Sequence, residues 1–421
     1  MKCAIVHDFL MQMGGAEKVV EVLHEMLPDA PIYTSIYDHQ AMPPAYKAWD
    51  IRPSFLQKLP LKQDSYRLFL FLYPLAFEAF DLSAYDLVIS SSSAFAKGVI
   101  TQPHTTHICY THTPMRYAWM ARSYVQHEKL SKFSRGLLAP GLHYLRSWDV
   151  LASHRVDQHI ANSCAVAGRI KKFYRRDCKI IYPPVNTLRF QVAPEIEDYY
   201  VMVSRSVPYK RMDLAIRAFS QLKRPLKVIG AGRQRKVLQA IAGPTIEFLG
   251  YVSDNELQSL LAHAKAFIMP GEEDFGIAPV EANACGRPVI AYGAGGALDS
   301  QIHEKTGILF PEQTIEALCH AVTACDKIDF NPVEIQAHAR QFDTTVFRQK
   351  MTSIINDIRQ PAQPLSPTIP TSHESSASYQ PHNQHHNKQL KPGHHPNSYE
   401  NYHANHDHNH TGDTNSVPVI P

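Results

Sequence analysis

In the stretch PGEEDFGIAPVEANACGRPV, residues 270–289, two carboxylates, Glu273 and Glu281, stand eight positions apart around Phe275-Gly276. At 3.6 residues per turn, eight positions leave two side chains rotated apart, so a single helix face does not hold both. With Pro279 as the first helical residue, Glu281 falls in the first turn and Glu273 in the loop before it. A helix N-terminus attracts anions such as phosphate. Gly276 carries no Cβ, so the backbone of the Phe275-Gly276 step can pass close to a ligand. Glu281 is suited to accept hydrogen bonds from a vicinal diol such as a ribose's, and Glu273 to reach the group beyond a diphosphate. These residues sketch a nucleotide diphosphate bearing a sugar. By themselves, two solvated glutamates are the plainer reading.

Other residues add to the set. VSRSVPYKRMD ends a strand with Arg205, and Lys210 follows five residues later. Cations in a loop after a strand are placed to neutralise a leaving diphosphate, Arg as a planar fork and Lys as a point charge. Gly14 and Gly15, in GGAEK, offer backbone N–H groups at a helix start, although a Gly-Gly pair also makes ordinary turns. CYTHTPMRYAW (109–119) puts His112 at the carboxyl end of a strand, where it can hydrogen-bond a sugar hydroxyl or a developing charge. A buried histidine bonded to backbone is the bland alternative.

The elements that must position these residues follow from apolar runs. KCAIVHD, PIYTSIY, YDLVISSS, THICYTH and VDQHIANS read as strands with helical stretches between several of them. After a short acidic pause near 194–198 a second series begins: YYVMVSRS, LKVIGAG, TIEFLGYV, KAFIMPG, RPVIAYG and TGILF. Alternating strands and helices imply two α/β, Rossmann-like domains with parallel sheets, facing a central cleft. The expected boundaries are 1–195, 196–345, a helix at 346–360 packing back toward the first domain, and a tail at 361–421. That tail holds ten of the chain's 24 histidines and almost no aliphatic residues, and reads as disordered. Its exposed imidazoles can pick up transition metals without any role attached.

Composition narrows the function further. A net charge of +3 is too small for a nucleic-acid binder. Between Arg116 and Lys179, however, 13 Lys or Arg face four acidic residues, an excess of +9 that fits a polyanion or anionic membrane, or else solvated helix faces. The seven cysteines include no C-x-x-C pair, which favours a reducing cytoplasm. No signal peptide and no membrane-spanning run are apparent.

The Glu273-x7-Glu281 spacing, together with MKCAIVHDFLMQMGGAEKV, YDLVISSSSAFAKGV, THTPMRYAW, ANS, RIKKFY, IIYPPVN and EEDFGIAPVEANACGRPVIAYGAGGALD, resembles the family 4 glycosyltransferases of the GT-B fold. Within them the chain is most similar to bacterial mannosyltransferases of O-antigen and exopolysaccharide assembly. The resemblance covers residues 1 to about 358. It implies that Glu281 holds the donor ribose and Glu273 contacts the donor sugar. Arg205 and Lys210 would stabilise the departing diphosphate, Gly15 would approach it from the first domain, and His112 would lie beside the sugar. Met120 stands where an acidic residue is expected after Tyr117-x-Trp119. The family retains anomeric configuration.

Chemistry then sets the expected mechanism. Diphosphate departure leaves an oxocarbenium-like sugar, and same-face attack fits a sequence that singles out no nucleophile. With no D-x-D triplet in residues 1–360, Arg205, Lys210 and a helix N-terminus carry the charge, and no metal is expected. The acceptor is expected on a polyprenyl diphosphate at the cytoplasmic leaflet. The basic stretch and YRLFLFLYPLAFEAF (66–80) would supply peripheral membrane contact, unless the latter is simply a buried helix. Rival readings are an oxidoreductase, from Gly230-x-Gly232 with Arg235 where a third glycine is needed, a sugar-nucleotide epimerase, and a non-catalytic binder. GDP-mannose is the expected donor and a UDP-sugar the runner-up.

Overall fold

The computed structural model describes residues 1–59, 70–120, 132–232 and 234–359. The tail expected to be disordered, 361–421, lies outside these residues, as do parts of the aromatic run (66–69) and of the basic stretch (121–131).

Two all-parallel sheets organise the chain. The first has the order β3-β2-β1-β4-β5-β6-β7 and the second β10-β9-β8-β11-β12-β13. In the first, β1 is Cys3–His7, β2 Ile32–Thr34, β3 Ile51–Pro53, β4 Leu87–Ser92, β5 Thr106–Thr111, β6 Gln158–Ala161 and β7 Cys178–Ile180. In the second, β8 is Tyr200–Val203, β9 Leu226–Ile229, β10 Ile246–Gly250, β11 Phe267–Met269, β12 Val289–Tyr292 and β13 Gly307–Phe310. Central strands such as LVISSS are buried along their whole length, as expected of parallel strands covered on both faces. The strand order reverses between β1 and β4 and again between β8 and β11. At such points the loops leave in opposite directions and open a crevice at the strands' carboxyl ends.

Two strands escaped the sequence reading, β3 (IRP) and β7 (CKI). Each is a three-residue strand with two exposed positions, at an edge of the sheet, too short and too polar to register as an apolar run.

Each sheet has its own core. Tyr200, Met202, Ile216, Phe219, Val228 and Leu318 belong to the second. In the first, Ile5, Val20, Leu23, Ile89 and Ile108 pack with Phe347, Met351, Ile354 and Ile355 of the helix Thr344–Arg359. The chain therefore passes out of the first domain and later returns to it. Asp343 fastens the two passages together. Its Oδ2 accepts from Thr187 N at 3.1 Å and Thr187 Oγ1 at 2.6 Å, while its Oδ1 accepts from Thr345 N and Oγ1, each at 2.9 Å.

Candidate functional site

The second crevice, between β8 and β11, is an open pocket of ≈ 350 Å³ lined by Val203, Ser204, Lys210, Glu273, Gly276 and Ile277 among others. β8 delivers Arg205 two residues beyond its end, and the turn Pro208–Lys210 brings Lys210 back over the crevice. There Lys210 Nζ forms an ion pair with Glu273 Oε1. Arg205 is exposed and makes no ion pair among the described residues. Its loop is held from below by Ser204 N donating to Ile229 O at 2.9 Å and Ser206 N to Ala231 O at 3.1 Å. That packing accounts for Gly230: its φ is +115°, and a Cβ there would lie 2.2 Å from the Ser204 carbonyl oxygen. The glycine serves loop-on-loop contact, not a dinucleotide.

The helix at the crevice runs from Ile277 to Ala284 with Gly276 (φ 88°) as its N-cap. It begins two residues before Pro279, which therefore sits in the first turn, where its missing N–H has no intrahelical partner to lose. Glu281 consequently lies one turn in, not at the start, and is buried. Its Oε1 receives Lys18 Nζ at 2.9 Å and Arg189 Nη2 at 3.3 Å. Neither cation was singled out in the sequence, although Lys18 stands in the quoted GGAEK. Phe275, named with Gly276 as a donor contact, can offer only its backbone there. Its ring is buried, with centroids 5.5 Å from Tyr182 and 5.4 Å from Phe342, so the side chain holds the turn while only its backbone faces the Gly276 step.

Opposite stands the first domain's crevice. Gly14 caps the helix Gly15–Met26, and a Cβ on Gly15 would come 3.0 Å from Ile277 Cδ1, so the two helix starts face each other closely. Asp8, just past β1, is buried and accepts backbone N–H bonds from Ser93, Ala94, Phe95 and Ala96, which pins the loop after β4. His112, just past β5, is also buried and sits 2.8 Å from Ser91 Oγ through Nε2. Burial, with the nearby His7 ring adding to it, pushes the His112 imidazole down to about 3, so it is neutral at physiological pH. Among the described residues no hydrogen bond or ion pair joins His112 to Glu273 or Glu281.

Ion pairs cross between the domains. Arg116 Nη2 lies 2.6 Å from Asp274 Oδ1, and its guanidinium stacks over the Tyr209 ring at 4.8 Å. Arg169 pairs with the same Asp274 oxygen and, at 2.9 Å, with Glu272 Oε1. These contacts change the reading of the basic stretch. Arg155 is likewise paired internally, with Glu78 at 2.6 Å, and Arg146 donates to Ala118 O at 2.7 Å. Among the described residues, Arg116, Arg146, Arg155 and Arg169 thus fasten elements inside the protein. Among the described residues no cluster of three or more metal-binding side chains is present, and no helix is long and apolar enough to cross a membrane.

Comparison with known proteins places this arrangement. Residues 13–189 match the model "Glycosyltransferase Family 4", and residues 186–327 match "Glycosyl transferases group 1". A GDP-mannose-dependent alpha-(1-6)-phosphatidylinositol monomannoside mannosyltransferase of Mycolicibacterium smegmatis is 33% identical over 140 residues, 29% of this chain and 37% of that one. Human alpha-1,3/1,6-mannosyltransferase ALG2 is 28% identical over 188 residues, 36% of this chain and 45% of that one. The chain spans less than half the length of these curated relatives. Among solved structures, Anabaena HepE in complex with UDP superposes with a TM-score of 0.63 at 19% identity, over 85% of this chain and 100% of that one. Sucrose-phosphate synthase from Thermosynechococcus elongatus gives 0.67 at 17% identity, over 85% and 99%. With two parallel sheets, a switch point in each and adjoining family matches meeting at the passage between them, the chain belongs to glycosyltransferase family 4 and has the GT-B fold.

Proposed function

We propose that this glycosyltransferase moves mannose, with retention, from GDP-mannose to a lipid-linked saccharide during cell-surface polysaccharide synthesis at the cytoplasmic face of a membrane. The observation that carries the reading is the Lys210–Glu273 pair above the second crevice, with Glu281 buried one helical turn away. A donor entering there separates the pair. Lys210 turns to the diphosphate with Arg205, Glu273 to the sugar hydroxyls, and Glu281 to the ribose diol in place of Lys18. The bond from C1 to the phosphate oxygen then breaks, that oxygen takes the acceptor hydroxyl's proton, and the new bond to C1 forms on the same face. Positioning and charge stabilisation carry the step, with no metal required. The mannosyl donor follows the M. smegmatis relative's stated dependence on GDP-mannose. For the lipid-linked acceptor, the support is a set of exposed apolar side chains: Phe71 and Tyr144, with ring centroids 6.3 Å apart, and Leu72 and Leu75 at the start of the helix Tyr73–Glu78.

A thermal shift with GDP, UDP, ADP and NAD, each with and without magnesium, tests the donor. A ligand at a hundred times its Kd adds roughly 2.7 kcal/mol and moves the midpoint by several degrees. Stabilisation by GDP without magnesium, abolished in Glu281→Ala, is the expected result. A response to UDP alone replaces the mannosyl donor; a response to NAD alone overturns the reading.

A further inference from the structure

Behind His112 runs a line of buried polar groups that no part of the proposed reaction uses. Ser91 Oγ, 2.8 Å from His112 Nε2, is also 3.1 Å from His7 Nδ1. The same Nδ1 lies 3.1 Å from the Ser91 carbonyl oxygen. On the far side of the ring, His7 Nε2 is 3.6 Å from Glu17 Oε1. All four residues are buried, and they come from β1, β4, the residue after β5 and the first turn of the helix that Gly14 caps.

Donor and acceptor chemistry orders this line. A backbone carbonyl only accepts, so His7 Nδ1 carries hydrogen and shares it between the carbonyl and Oγ of Ser91. Ser91 Oγ, already an acceptor there, directs its own hydrogen to His112 Nε2. The His112 ring is neutral, as its burial dictates, so its one hydrogen sits on Nδ1. That nitrogen makes no hydrogen bond among the described residues and is the one available to a ligand. The Glu17 carboxyl faces His7 Nε2 and completes the line at the glycine turn.

We infer that His7 is a positioning residue which, through Ser91, fixes His112 as the tautomer offering an N–H donor, not a lone pair, to the sugar or the departing phosphate oxygen. The role in transfer rests on the function proposed above, while the tautomer itself does not. His112 then acts by donating a hydrogen bond and abstracts no proton.

Asparagine places an amide N–H₂ where Nδ1 of histidine stands, whereas glutamine reaches the position of Nε2. The test compares His7→Asn with His7→Gln in full-length protein labelled with ¹⁵N-histidine, the His112 signals being identified by their loss in His112→Asn. Expected is a protonated Nδ1 on His112 in the parent and in His7→Asn, and a shift toward protonated Nε2 in His7→Gln. Ser91→Ala, which removes the intervening hydroxyl, gives the same shift and serves if His7→Gln does not fold. In transfer assays kcat then falls about tenfold in His7→Gln with KM for the donor unchanged, and His7→Asn restores most of it. Protonated Nε2 on His112 in the parent, or identical tautomers in His7→Asn, His7→Gln and Ser91→Ala, overturns the inference. The NMR readout needs no donor or turnover, so a correct tautomer without transfer activity faults the proposed function instead.

Discussion

The two crevices share a topology and differ in almost everything placed on it. At the β8/β11 crevice the side chains are charged: Lys210 against Glu273, Arg205 exposed beside them, and Glu281 answering Lys18 and Arg189. At the β1/β4 crevice they are buried and bonded to one another: a neutral His112 on Ser91, Ser91 on His7, His7 facing Glu17, with Asp8 absorbed by four backbone amides. Identical strand order gives each half a crevice, but the residues divide the labour. On the function proposed above, one side would meet the charge that develops during transfer and the other would fix the direction of a hydrogen bond. A neutral donor suits a site where an oxocarbenium-like sugar forms, since a second cation there would oppose it.

Variants that exchange these characters test the division. The largest effect is expected from Lys210→Ala. Without the cation over the crevice, transfer should fall about 10²–10³-fold in a steady-state assay. A loss under tenfold breaks the assignment of charge to this side. Next comes Asp8→Asn, which keeps the shape but aims an N–H₂ group at amides that need an acceptor. A loss of about 3 kcal/mol in chemical denaturation is expected, with the transfer rate of the folded fraction little changed. A large stability cost from Lys210→Ala and none from Asp8→Asn reverses the comparison.

Acidification probes the buried histidines of the first domain. Burial holds His107 and His112 down at about 3 and His159 at about 4, each from a usual 6.5. Between those values the unfolded chain binds protons that the folded chain does not, so stability is full above about pH 6.5 and falls as pH drops toward 4. At pH 5 this amounts to about 2 kcal/mol per histidine. Melting curves from pH 7.5 to 5 should decline, and less steeply in His112→Asn; flat curves refute the buried neutral set. The smallest effect belongs to Lys18→Met. Its partly exposed pair with Glu281 is worth at most about 1 kcal/mol, so GDP affinity by calorimetry should change less than about fivefold. A larger loss means Lys18 itself touches the donor.

Much of the charged side was legible in the sequence. Glu273, Arg205 and Lys210 lie in two short segments close after a strand, Glu281 in the helix that follows one of them, and the strands are apolar enough to recognise. The buried side was less so. His7 and Ser91 meet through the pairing of β1 with β4, across 84 residues in one step, and nothing in MKCAIVHD marks a histidine for a serine so far along. Arg116, Arg169 and Asp274 failed for the same reason: each looks like an ordinary surface charge until the domains are set side by side. The core role of the Phe275 ring, against Tyr182 and Phe342, was not legible, because its partners lie far away in the sequence. The starting point of the helix after Gly276 was missed because proline is tolerated throughout a first turn, not only at its first position.

The helix Thr344–Arg359 gives the molecule an order of assembly. It supplies Phe347, Met351, Ile354 and Ile355 to the core built around β1, β4 and β5. A ribosome releases β1 first, yet the wall that closes its apolar face emerges only after the entire second domain has been made. The second domain has one core cluster between Tyr200 and Phe330, and a second that also draws on Val185, Phe190, Ala339 and Phe342. The domain that precedes the other along the chain is therefore the last to be completed, and a nascent chain stalled before residue 344 leaves the first domain with an open hydrophobic face.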